Sequence, residues 1–307
     1  MRARAGHWVT RVGQTPVDLE SIEASSFVTL AECGGVDSDT ATMLVVLGDT
    51  HGHLDAAERA CLRVQHAFQR QIDAIFQVGD FGYWPEGSAG EDPFYKEEDA
   101  HELPGVLARG TSLVIGESRL DRRQAPLHFI RGNHEDFVAL ARVSRDRCEA
   151  SPCGSELSYL PDGFRGEVVG VSCAAVGGIL RDLSGGRGRR AKQRRKAARV
   201  ALDTDPRFSD SGLLDAVGEV DLLLTHSGPD DREERHGSRA LANTLRKGQV
   251  TLHFYGHHHR HSFAETPRGV SVGLRNLAAR GGALAPGALA IVLWRDRSAF
   301  RVLVHQG

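Results

Sequence analysis

The chain has 307 residues, 40% hydrophobic and 25% charged, with a formal net charge of -2. That length suits one large domain or two ordinary ones and allows a sizeable core. The near-neutral balance gives no overall electrostatic reason to expect a nucleic-acid or membrane partner, and no apolar run approaches the ~20 residues of a membrane helix.

Arg2 and Arg4 have no apolar stretch behind them, so no signal peptide is expected. The five cysteines (Cys33, Cys61, Cys148, Cys153, Cys173) are scattered without a Cys-x-x-Cys pair, which suits free thiols in a reducing cytoplasm. Residues 1–41 have little periodicity and read as an N-terminal extension, although Val28 to Leu30 could pair at a sheet edge. Residues 43–47 form a short β-branched-rich run bounded by Gly48, the pattern of a buried strand. Asp49 and His51 follow; alternate positions of an extended segment point the same way, so both can reach one point. A helix is expected over 54–71 and a second buried strand over 74–78, ending in Gly79-Asp80. This order suggests a right-handed βαβ unit. Residues 81–102 form a loop rich in Gly, Pro and acids, opened by Tyr83 and Trp84, which could be a substrate platform or a plug under the loop.

A third strand, 127–130, ends in Arg131-Gly132-Asn133-His134-Glu135, and a helix is expected over 137–147. One or two strands fall within 168–179. A basic run then opens at Arg187 and closes at Arg199, with eight Arg or Lys in thirteen residues and no acid. It reads as a solvated, mobile loop or as a contact for phosphate-rich ligands or nucleic acid. A short helix at 213–217, a strand at 221–224 ending in Thr225-His226, a helix at 238–246 and a strand at 252–255 ending in Gly256-His257-His258-His259 come next. The hairpin 289–304 closes the chain. No internal repeat is present, so a single domain is expected over 42–307, with a basic insertion near 181–205.

Five apolar strands thus end in metal-capable side chains: Asp49 and His51, Asp80, Asn133 and His134, His226, His257 and His259. Ligands of α/β sheets bind beyond the carboxyl ends of strands, and core packing is a poor explanation for five such ends, because buried His and Asp need partners. Two divalent ions would carry four positive charges against the two negative ones of Asp49 and Asp80. The remaining net positive charge would attract a phosphate and acidify a bound water, as in two-metal hydrolases. Mixed nitrogen and oxygen donors admit Mn, Fe, Zn, Co or Ni. His53, His258 and His261 read as lying outside the ligand set, and His128 and His253 as satisfied core histidines.

The ordered set Asp-x-His, Gly-Asp, Gly-Asn-His-Glu, His and Gly-His-x-His, spread over residues 49–259, resembles the calcineurin-like metallophosphoesterases. The resemblance implies the metallo-dependent phosphatase fold, a four-layer α/β/β/α sandwich of two mixed sheets flanked by helices. It implies one metal, manganese first among the candidates, held by Asp49, His51 and His259. A second would be held by Asn133, His226 and His257, with Asp80 bridging and a bridging hydroxide attacking phosphorus. His134 would face the substrate from outside both metals. The expected activity is phosphate-ester hydrolysis by a cytoplasmic phosphomonoesterase or by a phosphoprotein or nucleotide phosphatase. The alternatives are a nuclease or cyclic-nucleotide-type phosphodiesterase, supported by the basic run, and a non-catalytic scaffold of the same fold. The protein Ser/Thr phosphatase branch has Gly-Asp-x-Val-Asp-Arg-Gly in its second motif. Gly79-Asp80-Phe81-Gly82-Tyr83-Trp84 lacks that second aspartate and the arginine, so another group must orient His134. Glu135 and Asp136 are the nearest carboxylates in sequence, and Tyr83 could accept a hydrogen bond from His134.

Overall fold

Alternation of apolar side chains along the strands fixes the layering. The computed structural model describes residues 22–85, 125–144, 151–152, 157–183, 189–230, 237–277 and 283–306. In chain order the elements are β1 (Phe27–Cys33), β2 (Thr42–Leu47), α1 (Leu54–Phe68), β3 (Ala74–Gln77), β4 (Leu127–Phe129), α2 (Phe137–Val143), β5 (Ser151–Pro152), β6 (Leu157–Tyr159), β7 (Phe164–Val168) and β8 (Val171–Val176). There follow β9 (Ile179–Arg181), α3 (Arg189–Thr204), β10 (Phe208–Asp210), β11 (Val220–Thr225), α4 (Arg239–Arg246), β12 (Val250–Tyr255), β13 (Ser262–Glu265), β14 (Val270–Gly273), β15 (Leu289–Asp296) and β16 (Ala299–His305).

Two large mixed sheets result, in the orders β1-β16-β15-β2-β3-β4-β6-β5 and β13-β14-β12-β11-β8-β7. Strands β2, β3, β4 and β6 run parallel in the first. Strands β8, β11, β12 and β14 run parallel in the second. Met43, Val45 and Leu47 of β2 pack with Leu54, Ala57, Cys61 and Val64 of α1. Leu44 and Val46, on the opposite face, join Phe76, Cys173, Leu222, Leu224, Leu252 and Phe254 between the sheets. On the far side of the second sheet, Leu223 and Val250 pack with Leu241 and Leu245 of α4. Strand periodicity of two has therefore produced four layers, α/β/β/α.

Residues ahead of 42 also pack onto the first sheet. Ile22 and Phe27 are buried in the first core, and β1 pairs antiparallel with β16 as an edge strand. Its alternation is broken by a bulge between Thr29 and Ala31, which hid it from a period-two reading. The basic insertion is a helix, α3, rather than a loop. Residues 1–21, most of loop 81–102, Arg187, Cys148 and Cys153 lie outside the described residues. Among the described residues no helix is long and apolar enough to cross a membrane.

Candidate metal centre

Parallel strands present their carboxyl ends on the same side, so the turns after β2, β3, β4, β11 and β12 converge. The first two are laced by backbone: Thr50 and His51 N–H donate to the Asp80 carbonyl at 3.1 and 2.8 Å, and Gly52 N–H to that of Phe81 at 2.9 Å. The third is held on Asp80 itself, whose Oδ1 accepts the Asn133 and His134 N–H groups at 2.6 and 2.9 Å. Only a residue without Cβ fits between: a Cβ on Gly132 would overlap the Asp80 carboxylate and amide. The last turn rests on the first, with His257 N–H donating to Asp49 Oδ2 at 3.0 Å. A Cβ on Gly256 would run into Asp49 in turn.

The side chains form two groups that share one residue. Asp49, His51, Asp80 and His259 offer ligand atoms all within 4.8 Å of one another, and so do Asp80, His226 and His257. Asn133 Oδ1 stands 3.0 Å from His226 Nε2, which places its amide oxygen beside the second group. The other nitrogen of His226, Nδ1, is 2.9 Å from the Val78 carbonyl. That contact holds Nε2 toward the centre, the arrangement that orients metal-ligating histidines. Four of these residues, His51, Asp80, His257 and His259, have φ between 46° and 65°, a region that costs non-glycine residues free energy and clusters at functional sites. Asp49 and His51 therefore converge through a left-handed turn rather than along an extended segment.

Asp49 and Asp80 are buried beside imidazoles: His259 Nε2 lies 3.2 Å from Asp49, and His226 and His51 Nε2 lie 3.4 and 3.9 Å from Asp80. Burial alone would raise the Asp80 carboxyl; the His226 charge and hydrogen bond, with His51 and His134, hold it well below the usual carboxylate range. Burial would lower His226, but Asp80 raises it to about 9. Burial, with His226 beside it, lowers His257 to about 3. Two buried carboxylates surrounded by inward-facing imidazoles and an amide oxygen fit a pair of divalent cations, with Asp80 common to both.

His134 is half-buried and belongs to neither group; its ring lies 5.6 Å from that of His51. The carboxylates nearest to it in sequence have other tasks. Glu135, fully buried, accepts N–H bonds from Phe81, Gly82 and Tyr83 at 2.8, 3.1 and 2.7 Å and from Gly132 at 3.3 Å. Burial and the Asp80 charge push it up to about 8 against those donors. Asp136 caps α2 through the Ala139 N–H at 2.8 Å. Glu135 ties the second and third turns together, a role sequence reading missed, although its place in Arg131-Gly132-Asn133-His134-Glu135 was the available signal. Tyr83 and Trp84 are both buried, and Tyr83 stacks on Phe129, so the pair is a plug.

The histidines set aside behave differently from one another. His258 Nε2 accepts the Gly228 N–H at 3.2 Å, and His261 Nδ1 meets the Gly273 carbonyl at 3.0 Å. His253 is satisfied by Thr225 and Ser271 at 2.9 and 2.8 Å. His128, expected to be satisfied too, is buried with no hydrogen-bond partner on either ring nitrogen among the described residues.

A family model described as calcineurin-like phosphoesterase matches residues 42–261. No curated protein matches the chain by sequence. Solved structures similar to it include an archaeal phosphodiesterase, at 13% identity over 85% of this chain and 99% of the other, with a TM-score of 0.41. A phosphatase of Mycoplasma pneumoniae has 11% identity over 88% and 95%, with a TM-score of 0.39. GAP50, described as the anchor in the inner membrane complex of Plasmodium, has 12% identity over 85% and 82%, with a TM-score of 0.42.

Proposed function

Because the chain belongs to the calcineurin-like phosphoesterase family, we propose that it is a dinuclear-metal-dependent hydrolase of phosphate esters. The observation that carries this reading is the sharing of Asp80 between two ligand groups, each with its atoms within 4.8 Å. Asp49, His51 and His259 would hold one ion and Asn133, His226 and His257 the other, with Asp80 contributing to both groups. When bound, two such ions supply positive charge for a phosphate and acidify water. Manganese is the first candidate, with Fe, Zn, Co and Ni compatible with the same donors.

The chain's own contribution is positioning and proton transfer. His226 is held by Val78, and Asn133 by the bond from its N–H to Asp80, so both reach the centre without reorganising. His134, outside the ligand groups but at their rim, donates a proton from its imidazole to the leaving oxygen of the ester. Glu135 keeps the turns bearing Asp80 and Asn133 in register. The thiols of Cys33, Cys61 and Cys173 are free, which supports a cytoplasmic setting.

The test is metal analysis beside hydrolysis of nitrophenyl phosphate and bis-nitrophenyl phosphate after chelation and reloading with Mn²⁺. Two ions per chain and metal-dependent turnover are expected. Asp80→Asn removes the shared carboxylate charge and should weaken both ions and abolish turnover. A variant that keeps two ions and a near-normal rate would overturn the dinuclear reading.

A further inference from the structure

The centre does not account for α3. Among its described side chains none is fully buried; Ala198, Ala201 and Leu202, toward its C-terminal end, are half-buried. Arg189, Lys192, Lys196 and Arg199 recur at intervals of three and four residues, which brings them onto one face. Arg195 stands beside the same stripe. Like charges at these spacings destabilise a helix, and no acidic residue occurs before Asp203 to offset them. The stripe runs ~15 Å at ~1.5 Å per residue, the length of about four to five phosphates along one strand.

The segment just after α3 is tied to the turn that carries Asn133. The helix is inserted between the paired strands β9 and β10. Arg131, two residues before Asn133, crosses to β10. Its guanidinium donates to the Phe208 carbonyl at 3.0 Å, to Ser209 Oγ at 2.5 Å and to Asp162 at 2.7 Å. It also donates to the Pro206 carbonyl. At the same junction the exposed Arg181 lies over the Phe208 ring at 3.9 Å.

We propose that the basic face of α3 docks a nucleic-acid strand by its phosphates and leads it toward the centre. The inference rests on the phosphoester-hydrolase reading for its substrate class and names that class as a polynucleotide phosphodiester. The charge pattern carries it: an exposed, periodic cationic stripe matches a periodic polyanion.

The experiment measures binding of a fluorescein-labelled single-stranded oligonucleotide to the full chain by anisotropy, in chelator so that hydrolysis plays no part. A failure of the hydrolase reading would appear only in the nitrophenyl assays and leaves this measurement interpretable. Four phosphate contacts at a slope of about -0.7 each predict affinity about fifty-fold weaker at ~200 mM than at ~50 mM salt. Changing Arg189, Lys192, Lys196 and Arg199 together to Gln should lower low-salt affinity at least tenfold and flatten the salt slope. A companion carrying Arg189→Lys and Arg199→Lys keeps the charge and should bind like the parent. Circular dichroism should show α3 retained in both, since neutralising the stripe removes repulsion. No salt-dependent binding by the parent, an unchanged slope in the Gln variant, or binding to phosphatidylglycerol vesicles but not to the oligonucleotide would overturn the proposal.

Discussion

His51, Asp80, His257 and His259 each hold a left-handed backbone, a conformation costing of order 1 kcal/mol or more apiece outside glycine. The surrounding hydrogen bonds enforce it, and the effect is to aim side chains inward that an extended strand end would splay. The same tight turns leave His134 at the rim, its N–H on Asp80 and its ring beside His51. If His134 is the proton donor, His134→Ala should leave two ions bound and cut kcat by about two to four orders of magnitude. The loss should be smaller on a nitrophenyl ester than on an alkyl ester, whose leaving oxygen needs the proton more. Equal losses would instead favour charge stabilisation, and loss of metal would put His134 in the coordination shell. These side chains were legible as a set because each follows an apolar run. The turn geometry was not legible, since nothing in Asp-x-His distinguishes an extended segment from a left-handed one.

At the scale of elements, the turn after β4 is a joint. Gly132 lets it approach Asp80, Glu135 binds it to the turn after β3, and Arg131 binds it to β10. Burial would lower the Arg131 guanidinium, but Asp162 raises it; burial would raise Asp162, and Arg131 with Ser209 and Gly177 holds it below the usual carboxylate range. Arg131→Met strips the pair of its cation and leaves a mostly buried carboxylate, at a cost of about 3 kcal/mol. Urea denaturation should show that loss, and Arg131→Met with Asp162→Leu should recover part of it, because removing both charges is milder than orphaning one. Full recovery of stability in the single variant would mean that the pair holds nothing. Sequence reading identified Arg131-Gly132-Asn133-His134-Glu135 as a unit but could not see its partners, Asp162 and Ser209, which carry no local pattern. The helix at 189–204 was equally hidden, because it has no apolar periodicity and is read by charge alone.

Across the whole molecule, strands were legible wherever they bury both faces, as in β2, β3, β11 and β12, and faint at the bulged edge strand β1. The same two-sided burial encloses histidines that belong to neither ligand group. His253 lies wholly inside the second sheet, His128 is buried against Phe76, and His305 against Phe27. Burial lowers all three, His253 to about 3 and His128 and His305 to about 4, from an ordinary 6.5. Each folded-state imidazole therefore resists a proton that the unfolded chain takes up below 6.5. The stability that neutral burial contributes is present above 6.5 and is lost as pH falls toward 4 and 3. For His253 the linkage amounts to about 2 kcal/mol by pH ~5. Urea midpoints of the metal-free protein should fall steadily between pH ~6.5 and ~5. His305→Phe keeps a ring beside Phe27 and breaks no side-chain hydrogen bond, since among the described residues neither ring nitrogen of His305 has a partner. That variant should match or exceed the parent at pH ~7 and lose less stability on acidification, by close to one proton's worth of slope. A parallel decline in parent and variant would show that His305 titrates freely in the folded protein and that its burial carries no pH dependence.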